Sequence, residues 1–248
     1  MIILEIGSLR LLTDPVFDPP GGNYRFGLGT GSKKLTAPAL SPDQVGGIDA
    51  VLLSHDHHED NLDKAGRAFL PKAGRVLTTF SGGKRLGGNA EGMKNWQSTV
   101  LKSGDTEVKV TATPGQHGPL FIRPFAGETI GFMLEWEGQR HGALYISGDT
   151  VWFGGIAEVA RRFRVGTAIL HFGRAGFPIT GPVRFTMNAD DGVRAAHALS
   201  ARAIIPIHYE GWAHFRESKT QIANRFAAAG LRDWLRWLPL GEPVECEV

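Results

Sequence analysis

Four segments of this chain place histidine or aspartate directly after a short apolar run, a pattern that forces several metal-ligand side chains onto strand ends. The densest is Ser54-His55-Asp56-His57-His58-Glu59-Asp60-Asn61-Leu62-Asp63, which follows the apolar residues 50–53. Three histidines and four acids fall within the nine residues 55–63. Leaving such groups buried and unpaired is costly. A divalent cation removes that cost, and imidazole with carboxylate suits zinc, manganese or iron. The bland alternative is a solvated turn, and crowding at a strand end argues against it.

The other three segments repeat the arrangement. Thr113-Pro114-Gly115-Gln116-His117-Gly118-Pro119 follows the run 107–112, and its glycines and prolines fix a loop around His117. Ser147-Gly148-Asp149-Thr150 follows 143–147. Gly148 permits close backbone approach, and Asp149 either completes a metal shell or caps a following helix. Ile205-Pro206-Ile207-His208-Tyr209-Glu210 ends the run 203–207 on His208.

Further β-branched runs at 2–6, 10–13, 75–79, 130–136 and 167–170 read as strands, with a hairpin connection over 135–142. Helices are expected over 61–70, 155–163, 217–229 and from a cap at Asn188 to about residue 200. The Gly/Pro/Ser-rich stretch 15–42 reads as a long surface loop near the site. Early strands in hairpin-like groups and later strands alternating with helices imply layered α and β elements.

Composition narrows the partners. Net charge is +2 over 248 residues with no long lysine or arginine run, so the basic footprint of a nucleic-acid binder is missing. The single cysteine, Cys246, permits no intramolecular disulfide. The first residues lack a basic leader region, and no apolar stretch approaches the roughly 18 residues of a membrane span. A cytoplasmic protein is expected, with a homo-oligomer left open.

The order of a histidine-rich motif, a loop histidine, Gly148-Asp149-Thr150 and a late His208 resembles the metallo-β-lactamase superfamily. The branch it resembles most includes ascorbate-6-phosphate lactonase-like and N-acyl-phosphatidylethanolamine phospholipase D-like proteins. Thr13-Asp14-Pro15 and Leu238-Pro239-Leu240-Gly241-Glu242 are similar to that branch's terminal strands. The resemblance implies an α+β fold, a four-layer αββα sandwich, formed as one domain over 1–248, with the metal site along one edge of its two sheets.

The superfamily's first motif is H-x-H-x-D-H, and this chain departs from it. From the left, His55 and His57 match, but Glu59 and Asp60 stand where Asp-His is expected. From the right, His58 and Asp60 match, Asn61 replaces the last histidine, and one residue is inserted after His55. The second alignment is preferred because it keeps Asp60 before Leu62-Asp63. The resemblance then implies one metal site from His55, His58 (or His57) and His117, and a second from Asp60, Asp149, His208 and the position of Asn61. Amide oxygen is a poorer transition-metal ligand than imidazole. One ion or a mismatched pair is therefore expected, with Asp56 a candidate replacement ligand.

Metal-assisted hydrolysis of a small molecule is the expected activity. A bound metal lowers the pKa of its water toward about 7, and the resulting hydroxide attacks an ester, lactone, amide or phosphodiester. Asp60 would orient that water or carry its proton. His171, Arg174 and His214 are the candidate substrate-binding residues, with Arg184 a second cation in the loop 172–184; an arginine there suits a carboxylate or phosphate. The rival readings are a nuclease and a non-catalytic scaffold that binds a metal or ligand through an altered motif.

Overall fold

The computed structural model describes residues 1–27, 29–122 and 126–246. In chain order the strands are β1 (Ile3–Ile6), β2 (Leu9–Thr13), β3 (Asn23–Gly27), β4 (Thr30–Lys33), β5 (Ala50–Leu52), β6 (Arg75–Thr79), β7 (Ala90–Met93), β8 (Ser98–Ser103), β9 (Thr106–Pro114), β10 (Ile130–Trp136), β11 (Ala143–Ile146), β12 (Val165–His171) and β13 (Ala203–Ile207). The helices are α1 (Pro42–Val45), α2 (Lys64–Phe69), α3 (Phe80–Leu86), α4 (Gly154–Arg162), α5 (Ala189–Leu199) and α6 (Lys219–Ala228).

Two large sheets follow from the pairing. The first runs β1-β2-β5-β6-β7 and the second β13-β12-β11-β10-β9-β8. In the second sheet β8 to β11 are joined antiparallel, as the hairpin expected over 135–142 requires, while β11, β12 and β13 run parallel. Parallel neighbours need crossovers, and α4 and α5 supply them.

Side-chain alternation sorts the apolar residues into three layers of core. Between the sheets, Leu11, Leu52 and Leu77 meet Val110, Phe132, Leu144 and Ile169. On the far side of the second sheet, Met133, Tyr145, Ala168 and Leu170 pack against Ile156, Val193, Ala196, Ile222 and Phe226 of α4, α5 and α6. On the far side of the first, Leu12, Val51 and Val76 pack against Val45, Leu62 and Phe69. Helix, sheet, sheet and helix layers make an αββα sandwich.

Several elements differ from the sequence expectation. The stretch 15–42 carries the β3–β4 hairpin, a separate two-stranded sheet. Helix α3 contains Gly82 and Gly83, which lower helix propensity. The fold needs Gly83, because a Cβ there would lie 2.3 Å from the Gly92 nitrogen of β7. α2 starts only at Lys64, capped by Asp63, so Asp60 and Asn61 stay in the preceding loop. No strand forms over 238–242; near that end a single bridge joins Leu235 to Ile204.

One buried ion pair fixes the hairpin to the site. Lys34 Nζ lies 2.9 Å from Asp63 Oδ2, with both side chains almost fully buried. Asp63 also accepts the backbone N–H groups of Phe17, Asp18 and Gly66. One carboxylate thus ties the residues after β2, the hairpin and the start of α2 together. Removing one partner of a buried pair leaves an uncompensated charge. Lys34→Ala is expected to destabilise the fold by roughly 3–5 kcal/mol, measured by urea denaturation; a loss below about 1 kcal/mol, the range of exposed pairs, would contradict it.

Candidate active site

The strand ends of both sheets converge on one edge of the sandwich. His55 follows β5, His117 follows β9, Asp149 follows β11 and His208 follows β13. Two backbone conformations help aim them. Gly148 has φ +60, and a Cβ there would lie 2.4 Å from the Ile130 carbonyl oxygen, so glycine is required for Asp149 to pass the neighbouring strand. His208 itself is left-handed at φ 59, a strained choice that breaks the strand and turns its side chain inward. The helix after Asp149 begins at Gly154 with Phe153 at its N-cap, so Asp149 is not a cap.

Two clusters result. His55 Nε2 and His117 Nε2 lie 3.2 and 3.0 Å from His58 Nδ1. His117 Nδ1–H donates to the Phe185 carbonyl at 2.8 Å, which leaves Nε2 with its lone pair directed at the cluster. Burial and the neighbouring histidines hold His55 and His58 well below the usual imidazole pKa. Burial also pushes His117 down to about 4, despite the opposing charge of Asp60. All three are neutral at pH 7, the form that ligates a metal.

The second cluster joins Asp60, Asp149 and His208. His208 Nε2 lies 3.6 Å from Asp60 Oδ2 and 3.5 Å from Asp149 Oδ2. Burial pushes the Asp149 carboxyl up to about 7. Burial opposes protonation of His208, but the Asp149 and Asp60 carboxylates outweigh it and raise the imidazole to about 8. Both Asp149 oxygens, Asp60 Oδ1 and His208 Nε2 are buried without a hydrogen-bond partner. Orphaned anionic oxygens beside an imidazole nitrogen fit a cation, and so do three imidazole nitrogens aimed at one point. Each trio keeps its ligand-type atoms within 4.8 Å of one another.

The ambiguity within the histidine-rich motif has a geometric answer. His58, not His57, joins His55 and His117. His57 Nε2–H is committed to the Ala126 carbonyl. Asp56 is committed as well: the Arg85 guanidinium pairs with both its oxygens, through Nη2 at Oδ1 and Nε at Oδ2. Asn61 Nδ2–H donates to Ser54 Oγ at 3.2 Å, and that hydroxyl lies 3.0 Å from His55 Nδ1, while Asn61 Oδ1 is buried without a hydrogen-bond partner.

The three expected substrate contacts separate. His214 reaches the pocket over the clusters, with Nε2 3.1 Å from Asp60 Oδ2. His171 is instead buried behind them, with Nε2 3.3 Å from Asp14 Oδ2 and Nδ1 3.2 Å from Ser147 Oγ. Asp14 follows β2, so the strand-end pattern that marks the other acids marks it too. Arg174 does not line the pocket: its backbone turns left-handed at φ 48, and its exposed charge acts on Glu217. Arg184 pairs with Asp191 at 2.9 Å. The loop 172–184 gives the pocket Ala175, Phe177 and Thr180 rather than a cation.

The pocket is mostly apolar. Phe26, Ile122, Ala126, Phe177 and Phe185 wall a space of about 540 Å³, including its open mouth, and His58, Asp60, His117 and His214 reach it from one side. Among its described lining residues there is no lysine or arginine.

Comparison with known proteins agrees with this geometry. Residues 9–209 match the family model described as the beta-lactamase superfamily domain. The chain belongs to the metallo-β-lactamase superfamily. It is 31% identical over 211 residues to a metal-dependent hydrolase of Methanoregula boonei, covering 81% of this chain and 83% of that one. The isothiocyanate hydrolase from Delia radicum gut bacteria has a similar structure, with a TM-score of 0.82 at 21% identity over 99% of this chain and 96% of that one. A metallo hydrolase of the hyperthermophilic archaeon Ignicoccus hospitalis gives 0.69 at 19% identity over 98% and 92%. This superfamily member is a metal-dependent hydrolase. No helix among its described residues is long and apolar enough to cross a membrane.

The hydrogen-bond commitments of the histidines make a direct prediction for metal content. His58→Ala and His117→Ala are expected to lower the metal retained after dialysis by one equivalent or more, while His57→Ala keeps the wild-type content. Elemental analysis of the purified variants checks this, and equal losses in all three would contradict the assignment.

Proposed function

We propose that His55, His58 and His117 hold one divalent ion, that Asp60, Asp149 and His208 hold a second, and that residues 1–248 act as one catalytic domain on a small neutral substrate bearing an apolar group. The observation that carries this reading is the juxtaposition of two buried ligand trios with an apolar pocket free of cationic side chains among its described lining. The trio of imidazoles favours zinc, and the carboxylate-rich trio also suits manganese or iron.

An ion held at these residues supplies a Lewis acid for the attacked oxygen and lowers the pKa of a water toward about 7. The chain's own residues do the rest. Phe26, Phe177 and Phe185 take the apolar part of the substrate and exclude bulk water. Asp60 lines the pocket with Oδ1 unpartnered, and that oxygen is placed to orient the attacking water. His57 and Asn61 are not reagents: His57 is held by the Ala126 carbonyl, and Asn61 braces Ser54, which contacts His55.

The substrate class follows from charge. An anionic phosphodiester entering this pocket would find no arginine or lysine among the described lining residues, so only the proposed ions would offset its lost hydration. Esters, lactones and amides carry no such charge. Isothiocyanates, the class named for the structurally similar hydrolase, are also small neutral electrophiles.

A panel of aryl ester, lactone, amide, aryl isothiocyanate and aryl phosphodiester tests the proposal on metal-loaded protein. Turnover of at least one neutral member, absent with the phosphodiester, is expected. Phe185→Ala is expected to raise KM for an aryl substrate about tenfold, the cost of one lost aromatic wall. Phosphodiester turnover exceeding that of every neutral member would overturn the substrate class.

A further inference from the structure

Asp60 is held from outside the metal cluster by a line of hydrogen bonds that starts on the β3–β4 hairpin. His214 Nε2 lies 3.1 Å from Asp60 Oδ2, and His214 Nδ1 lies 2.7 Å from Ser32 Oγ on β4. The backbone N–H of His214 donates to the same Ser32 oxygen at 3.2 Å. These contacts assign the protons. Ser32 Oγ accepts the backbone N–H and keeps its own proton available for Nδ1. Nε2 then carries the ring proton and donates it to Asp60, an acceptor-only carboxylate.

Packing locks the ring that transmits this contact. His214 stacks on Phe177 with centroids 5.2 Å apart and planes 10° from parallel. Phe26 lies 5.3 Å away at its edge, and Phe215, which also touches the His208 ring, lies 4.6 Å away. These contacts restrict the orientation of the His214 ring. The two oxygens of Asp60 become inequivalent: Oδ2 takes the His214 N–H, and Oδ1 stays unpartnered. The hairpin is itself fixed, through the buried Lys34–Asp63 pair and a bridge between Lys34 and Trp212.

We infer that Ser32 and His214 are positioning residues that fix the Asp60 carboxylate for the second ion, with His214 donating to Oδ2, the oxygen that also faces His208 at 3.6 Å. The inference rests on the proposed reading of Asp60, Asp149 and His208 as a metal pocket. It gives this chain a support that its altered histidine-rich motif does not contain. Asn61 stands where the superfamily motif has a histidine, and the bracing of the neighbouring carboxylate comes from a residue 154 positions later in the chain.

Cobalt(II) provides a readout independent of turnover. The full-length protein is loaded with Co²⁺, its visible absorption is recorded, and release to excess chelator is timed for the wild type, Ser32→Ala, Ser32→Thr and His214→Gln. Loss of a partner that braces a ligand costs about ten- to a hundredfold in metal affinity. Ser32→Ala and His214→Gln are expected to release one of the ions about tenfold faster or more and to change the visible spectrum. Ser32→Thr, which keeps the hydroxyl, is expected to restore both. Wild-type release and spectrum in His214→Gln would overturn the positioning role while leaving the metal reading intact. Failure of the wild type to take up Co²⁺ would overturn the metal reading and the inference with it. A Ser32→Thr variant as impaired as Ser32→Ala would also overturn the role given to the hydroxyl.

Discussion

Asp60 and Asp149 are carboxylates taken out of water at the edge where the strands of two sheets end, and much of the surrounding structure answers the cost of putting them there. A buried ionised carboxylate without partners is among the most expensive groups a protein can fold around. Here the backbone is bent to bring imidazoles to it: His208 adopts a left-handed conformation, and Gly148 occupies a position where any side chain would strike Ile130. Burial raises Asp149 to about 7, so part of the cost remains in the bare protein as a proton the carboxyl holds too readily. Cation binding and proton release are linked in such a site, because ligands must be deprotonated to bind.

The supports of the site come in layers that use one chemical logic. Ser54 touches His55, Phe185 fixes the tautomer of His117, His214 holds Asp60, and Asp14 lies against His171 behind His208. Each contact removes a degree of freedom from a side chain whose direction matters. The Lys34–Asp63 pair belongs to the same scheme one step further out, since it fixes the hairpin that carries both Ser32 and the pocket wall Phe26. The apolar pocket and the carboxylate geometry therefore share a single anchored element.

What could be read from sequence was the part written locally. Apolar runs ended by His55, His117, Asp149 and His208 revealed both the sheets and the residues that gather at their edge, because strand periodicity and a terminating ligand are short-range signals. The choice between His57 and His58 was not local: it is made by Ala126, 69 positions away, whose carbonyl occupies His57. The hairpin within 15–42 escaped because its strands are short, with Tyr24 and Phe26 as their only large apolar residues, and are held from outside by Asp63 and Trp212. Arg174 looked like a substrate clamp by composition alone, and a left-handed backbone turned it outward.

The contrast between the polar edge and the apolar pocket limits the chemistry further. Aromatic walls beside imidazoles and carboxylates lower the local dielectric, which strengthens every electrostatic interaction inside and raises the cost of any charge that arrives unpaired. On the proposed reading, a neutral substrate enters at little desolvation cost and develops charge only as its electrophilic centre is attacked, next to the groups proposed to receive it. A substrate already anionic pays on entry and gains no cationic side chain from the described wall. The same aromatic ring, Phe177, lines the pocket and stacks on His214. The apolar wall proposed to select the substrate is thus in contact with the imidazole that meets Asp60, and a substitution at Phe177 would also be felt at the carboxylate.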